Sequence, residues 1–309
     1  MVYCSTTMTI TTDSYNESPR RTDEARADGV GLFRDARHRY SWNGGPLYPS
    51  VTTILGIKDK PALVGWAKRE TAACAVRNLD VLSRMVAHGG APAAVNWLKT
   101  IPDFQRDLSA DLGTAVHTAA ESIALGLPLE IDDAVRPFVA AYRRDFLELF
   151  HPTFLAVEPM VCSLRYEYGG TADAFVEIDG ETWLIDYKSG SGVYPDTALQ
   201  LAGLARAQFI GKPGDPTQYP IPAATRFGVL HIRPEGARLL PVVVDRSTVA
   251  AFLDARRLFA WAADQVRGGF HETTWSAFWQ TAVEGQSGKE VAEALGMTVA
   301  AVYLSLIHI

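Results

Sequence analysis

Cysteine is scarce. The 309 residues contain three, Cys4, Cys74 and Cys162, with no C-x-x-C spacing. That excludes a disulfide framework and a zinc knuckle, and too few thiolates are available for a four-cysteine iron–sulfur cluster. No apolar run reaches the roughly 18 residues of a membrane helix, so no membrane partner is expected. The opening stretch, MVYCSTTMTITTDSYNESPRR, lacks a basic-then-apolar secretion signal, and a cytoplasmic location is expected. Basic charge is not in excess: 29 Lys and Arg against 35 Asp and Glu leave a net charge of -6. A general polyanion coat is thereby excluded. Nucleic acid would have to be met through a local groove, or through a metal that offsets an acidic site.

What the chain has is a core. It is 48% hydrophobic with seven Trp, eleven Tyr and thirteen Phe, too apolar and too aromatic for a disordered chain. Residues 1–28 are polar and without apolar period, which predicts a flexible leader; Met8 offers a second start. From Phe33 the alternation in HRYSWNGGPLYPSVTTIL predicts a hairpin around a Gly-Gly turn. Pro61 opens a helix, and residues 87–103 read as a Gly- and Pro-punctuated connector with a short helix. Helices are predicted over Ser109–Leu125 and Asp132–Phe150. Strands follow in FLAVEPMVCSLRYEY, TADAFVEI and TWLIDYK, with turns at Gly169-Gly170 and Asp179-Gly180. A helix over Asp196–Ile210, strands RFGVLHIRP and ARLLPVVV, and a helix over Ser247–Ala263 complete the body. This order predicts a mixed α/β (α+β) core of about 230 residues.

The most informative segment is GGTADAFVEIDGETWLIDYKSG, residues 169–190. Alternation places Leu184, Asp186 and Lys188 on one face and Trp183, Ile185 and Tyr187 on the other. The turn at Asp179-Gly180 folds the preceding strand back, so Asp173 can sit beside Asp186. Two carboxylates and a lysine would converge at the ends of paired apolar strands, where burying them is costly unless something is gained. A shared divalent cation supplies the gain, and oxygen ligands favour Mg²⁺ or Mn²⁺. A lone D-x-K would read as a structural ion pair; the G-G-x-x-D before it and the apolar flanks argue for a site.

With His117 in GTAVH, Asp173 in GGTAD, Asp186 and Lys188 in DYK, and Gln200 in QLAG, the chain resembles the PD-(D/E)XK nuclease superfamily in its RecB-like phage exonuclease branch. The resemblance covers roughly residues 33–263, with the motifs in the expected order. Glu121 and Glu158 fall at acidic positions common in that branch. The helix motif there reads Q-x-x-x-Y, and here Leu204 stands in place of the Tyr. The resemblance implies a restriction-endonuclease-like core, with a mixed central sheet flanked by helices. It implies metal ligation by His117, Asp173, Asp186 and the backbone carbonyl of Tyr187, with Lys188, Asp186, Asp173 and Gln200 catalytic. Mg²⁺ or Mn²⁺ is the implied cofactor and DNA the substrate. The implied setting is a phage protein acting in the host cytoplasm on recombination, repair or DNA processing, where a single-strand annealing protein would be a fitting partner. Taken alone, His117 reads as a structural histidine, Gln200 as a helix-surface amide, Glu121 as an orienter of His117 or a solvated group, and Arg143, Arg144 and Arg165 as solvated cations.

Beyond about residue 265 the character changes. Residues 271–303 resemble the helix-turn-helix of sigma factor region 4, with Glu290–Leu295 as first helix and a second helix capped by Thr298. No basic residue follows in that second helix, which argues against DNA reading through it. LSLIHI, residues 304–309, resembles the translation of a sequencing-adapter end. The expected organisation is a leader over 1–28, a nuclease domain over 29–265, and a helical appendage over 266–309 that is foreign or chimeric. Two other functions compete: a catalytically silent nuclease-fold DNA-binding protein, and a fragment of a sigma-like transcription factor.

Overall fold

The structure, a computed structural model, describes residues 29–58, 61–267, 270–283 and 286–308. The predicted leader, with Cys4 and Met8, lies outside the described residues, as does Ile309. Two short strands open the described chain, β1 (Leu32–Arg34) and β2 (Tyr40–Trp42), followed by helices α1 (Val51–Leu55), α2 (Pro61–Arg77) and α3 (Leu79–Ala124). Next come α4 (Arg136–Tyr142), a π-helical turn (Arg143–Leu147) and α5 (Glu148–Phe150). The strands β3 (Thr153–Val157), β4 (Met160–Ser163), β5 (Tyr168–Thr171), β6 (Ala174–Ile178) and β7 (Glu181–Lys188) lead to α6 (Asp196–Arg206). Then β8 (Phe209–Lys212), β9 (Asp215–Tyr219), β10 (Arg226–Arg233) and β11 (Gly236–Pro241) precede α7 (Arg246–Arg267). Helix α8 (Glu272–Phe278), a second π-helical turn (Trp279–Val283), α9 (Gly288–Leu295) and α10 (Val299–His308) close the chain.

The centre is a mixed five-stranded sheet in the order β11-β10-β7-β6-β3. Its one parallel pair is β7–β10, with Asp186 opposite Val229; the other neighbours are antiparallel. Side-chain alternation gives this sheet two apolar faces. Val176, Ile185 and Leu230 pack with Val116 of α3 and Phe138 of α4. Phe175 and Leu184 pack on the other side with Leu201 of α6 and Phe252 of α7. Helices therefore flank both faces, and the molecule is a mixed α/β structure. A second, four-stranded sheet, β5-β4-β8-β9, lies beside it. Leu32 and Tyr40 of the β1–β2 hairpin cluster against Cys162 and Phe209 of that sheet. No helix among the described residues is long and apolar enough to cross a membrane.

Several expected boundaries move, each for a physical reason. Residues 87–103 are helix, not connector: α3 runs through them with a kink at Gly90, whose φ of 73° only glycine adopts freely. Pro92 then falls in the first turn after the kink, where its missing N–H is not needed. The Gly169-Gly170 pair is not a turn. Both residues lie inside β5, and the reversal before it is taken by Glu167, at φ 53°. The glycines are there for space: a Cβ on Gly169 would overlap the Tyr40 ring, and one on Gly170 would lie 2.6 Å from Leu204. The hairpin of β1 and β2 turns at residues 35–39, where the Asp35 carboxylate accepts the N–H groups of Arg37 (3.0 Å) and Arg39 (2.8 Å). Helix α6 stops at Arg206, so that residues 209–212 can pair with β4. The helix expected from Asp132 begins at Arg136 and widens into the π turn, where the Asp145 carboxylate accepts the Ala237 N–H of β11 at 2.9 Å.

The C-terminal segment has the expected helix–turn–helix outline. Ser287 and Glu290 form a reciprocal capping box, and Gly296 ends α9 at φ 63°. Ala277, Val291, Ala292 and Val302 form a small core of their own. The segment meets the body where the Trp279 ring lies 5.7 Å from that of Phe259, and where Arg37 donates to Gln286 at 2.5 Å.

Candidate metal centre

The site begins with strand register. Ala174 pairs with Ile185 in the β6–β7 hairpin, which sets Asp173, just before β6, opposite Asp186. Asp173 Oδ2 accepts the Tyr187 N–H at 2.5 Å, tying the two strand ends together. Alternation along β7 then sends Asp186 toward α6 and Tyr187 toward α3 and α4. Gln200 of α6 donates from Nε2 to Asp186 Oδ1 at 2.8 Å. The Tyr187 ring meets His117 edge-on at 5.9 Å and Tyr142 at 6.0 Å between centroids. Lys188 reaches back along β7 to place Nζ 2.6 Å from Asp186 Oδ2. His117 arrives from α3, with Nδ1 3.6 Å from Asp173 Oδ1.

A further acidic group enters from the end of β3. Glu158 has φ 47°, an uncommon conformation for a residue with a side chain, and its N–H donates to the Asp173 carbonyl at 2.9 Å. This corner holds His117, Glu158 and Asp173 with one ligating atom of each within 4.8 Å of the others. Asp186 does not belong to that trio; its oxygens face Gln200 and Lys188. The expected residues thus gather at one end of the β6–β7 hairpin, with His117 and Asp173 grouped around Glu158 and with Asp186, Lys188 and Gln200 alongside. Glu121 sits one helical turn beyond His117, half-buried. Leu204, in the place of the expected tyrosine, is buried on α6 and packs over Gly170. Arg144 pairs with its neighbour Asp145 at 2.6 Å. Glu158 was legible as an acidic position common in the resembled branch but not as a member of this trio; its approach to Asp173 depends on the β3–β6 pairing, which contains a register shift between Phe154 and Ala156.

The electrostatics follow from burial and proximity. Burial pushes the Asp186 carboxyl up to about 6; Lys188 opposes the rise and the Asp173 charge adds to it. Burial acts in the same sense on Asp173, but the His117 contact, the Lys188 charge and the Tyr187 N–H outweigh it and hold that carboxyl below its ordinary value. Burial works against a charged His117, and Asp173 overcomes it, so the imidazole is raised above its usual value. Asp186 Oδ2 is fully buried and, although Lys188 approaches it at ion-pair distance, has no hydrogen bond of good geometry. A buried carboxylate oxygen left this way is costly. An imidazole nitrogen and several carboxylate oxygens around one corner are the donor chemistry that a divalent cation accepts. No protein-family model matches the chain, and no curated protein matches it either.

Proposed function

We propose that this chain is a metal-dependent deoxyribonuclease with a restriction-endonuclease-like core over residues 29–265. On this reading it hydrolyses DNA phosphodiester bonds as an exonuclease. One observation carries the proposal: Asp173, just before β6, lies opposite Asp186 near the end of β7, with the Lys188 ammonium on Asp186 and with His117 and Glu158 beside Asp173. A structural ion pair needs one carboxylate and one cation. It needs neither a second carboxylate opposite nor the imidazole and glutamate that meet it.

His117, Glu158 and Asp173 would hold the cation, with Asp186 and the Tyr187 carbonyl completing its shell. Carboxylates suit Mg²⁺ or Mn²⁺, and the imidazole nitrogen favours the softer Mn²⁺. Bound there, such a cation supplies polarisation of a phosphoryl oxygen and a water of lowered pKa. Lys188, 2.6 Å from Asp186 Oδ2, would orient the attacking water or meet charge that develops on the phosphate. Gln200 fixes the Asp186 rotamer through Oδ1. The local cation explains how a protein of net charge -6 would accept a polyanion. A phage setting in the host cytoplasm, with a single-strand annealing protein as partner, completes the proposal and rests on the family resemblance alone.

The test is digestion of linear, covalently closed and end-blocked DNA with Mg²⁺ or Mn²⁺, beside Asp186→Asn and Lys188→Ala. Linear DNA should be degraded only with metal, and each substitution should slow this at least about a hundredfold while the fold is kept. Cleavage of closed circles would remove the exonuclease reading. Undiminished cleavage by either variant would remove the site assignment.

A further inference from the structure

Strand β10, the parallel neighbour of β7, carries two side chains that are committed to the loop after Lys188. That loop, Ser189-Gly190-Ser191-Gly192, follows the last residue of β7 and has no apolar side chain to bury. Strand ends fray, and a Ser-Gly segment does little to resist it. Yet the first two carbonyls of the loop are both taken by side chains. Arg233 donates from Nη1 to the Ser189 carbonyl at 2.6 Å, and His231 Nε2 lies 2.8 Å from the Gly190 carbonyl. Nε2 must carry a hydrogen there, which the charged ring and one neutral tautomer both supply. The loop also lies against α3: a Cβ on Gly113, one turn before His117, would sit 3.4 Å from Ser189 Oγ.

Register explains the pairing. His231 stands opposite Lys188 in the parallel β7–β10 ladder, as Val229 stands opposite Asp186. Alternation therefore puts His231 and Arg233 on the face that carries Asp186 and Lys188. Strand β10 is bonded on both sides, to β7 and to β11, which makes it a stiff mount for the two donors. The Arg233 guanidinium is half-buried. Glu235, the acid two residues on, is exposed and lies 3.9 Å from Arg233 Nε, beyond hydrogen-bond length. The short contact of this arginine is with a backbone carbonyl and not with the carboxylate beside it.

We infer that His231 and Arg233 are positioning residues for Lys188: by holding the Ser189 and Gly190 carbonyls they fix the end of β7 and keep the Lys188 ammonium on Asp186. What Lys188 then does to a phosphate rests on the nuclease reading above; the clasp on its backbone rests on the hydrogen bonds themselves. Lys188 is half-buried, and its flexible stem brings Nζ 2.6 Å from Asp186 Oδ2. A long side chain on a loosened backbone spreads over many rotamers, and misplacement by about 1 Å can slow a reaction about a hundredfold. The hydrogen bonds of His231 and Arg233 go to the loop, so their effect on chemistry passes through Lys188.

The experiment labels the full-length, metal-free protein with a lysine-selective acylating ester and, in parallel, follows amide hydrogen exchange, both read by mass spectrometry. Asp186→Asn removes the counter-charge without touching the loop and sets the labelling rate of a released Lys188. In Arg233→Ala and His231→Leu, Lys188 should label about tenfold faster than in the parent, and residues 189–192 should exchange faster, while labelling of Lys58 and Lys212 is unchanged. Arg233→Lys and His231→Gln keep a donor and should return Lys188 toward the parent rate, which a generally weakened fold would not do. In DNA cleavage, Arg233→Ala should lower kcat about tenfold and leave KM for DNA and Mn²⁺ affinity unchanged. Parent-like Lys188 labelling in both disruptive variants overturns the inference. Faster loop exchange with unchanged Lys188 labelling overturns it too, because the clasp would then end at the loop. Unchanged kcat beside faster labelling overturns the link from position to chemistry. A parent protein that cleaves no DNA while the labelling shifts appear sinks the nuclease reading and leaves the positioning of Lys188 standing.

Discussion

Glu158 is the residue on which the metal proposal is most exposed to test. It joins His117 and Asp173, whereas Asp186, the more familiar carboxylate of a D-x-K motif, faces Lys188 and Gln200. If the corner formed by the trio holds the cation, Glu158→Gln removes a charged oxygen ligand and keeps the shape. Mn²⁺ affinity, measured by calorimetry or electron paramagnetic resonance, should then fall at least about tenfold. Binding unchanged in Glu158→Gln but lost in Asp186→Asn would place the cation on the Asp186 side and strip Glu158 of its role. The φ of 47° at Glu158 is consistent with a position held for chemistry, because local strain persists only where surrounding structure over-determines it. The neighbouring phenols of Tyr142 and Tyr187 are buried against one another, ring centroids 6.0 Å apart, and form the floor behind His117.

At the scale of elements, β5 joins the β1–β2 hairpin to the core through its two glycines, Gly169 against Tyr40 and Gly170 against Leu204. Gly169→Ala would drive a methyl group into the Tyr40 ring, whose hydroxyl bonds Thr171. Overpacking of this kind costs about 1–3 kcal/mol, so the variant should unfold at measurably lower denaturant, with an unchanged m-value. Stability equal to that of the parent would show that the hairpin can slide away, and the close-packing account of Gly169 would fail. The same strand shows what sequence can and cannot convey. The β6–β7 hairpin and its acidic residues were legible, because a Gly turn between apolar runs fixes register locally and a buried D-x-K stands out against them. The glycines of β5 were misread as a turn because their cause is a tyrosine about 130 positions away. Residues 87–103 were misread because Gly90 and Pro92 signal an end, whereas α3 only bends there. Strand β9 was invisible because it contains Pro216, which an edge strand tolerates and a central strand does not. Glu158 could not be assigned to the trio because the β3–β6 register contains an irregularity that composition does not record.

Across the whole molecule, the cluster should make stability depend on pH, and metal should reverse that dependence. The Asp186 carboxyl is pushed up to about 6 by burial, so between the ordinary carboxylate range and that value the folded state binds more protons than the unfolded state. Stability from this group therefore falls as pH rises through that window. His117, raised by Asp173 against the effect of burial, contributes stability that is present below the ordinary histidine value and is lost as pH rises through the elevated one. Asp173, held low, acts oppositely, but its contribution is lost only as pH falls below the ordinary carboxylate range. The metal-free protein should accordingly lose stability from about pH 4 to about pH 6 through Asp186, and further as pH rises through the elevated His117 transition. A divalent cation requires the deprotonated forms of these same groups, so its affinity should climb over the same interval. At a hundredfold excess over Kd, a ligand that binds only the folded state stabilises it by about 2.7 kcal/mol. The thermal midpoint with Mn²⁺ should then exceed the metal-free value by several degrees near pH 8 and by almost nothing near pH 5. Asp186→Asn should flatten the acid-side slope of the metal-free profile, because the substituted amide cannot titrate. An Mn²⁺ shift as large near pH 5 as near pH 8 would mean that the cation binds elsewhere, and that the raised carboxyl of Asp186 has no part in holding it.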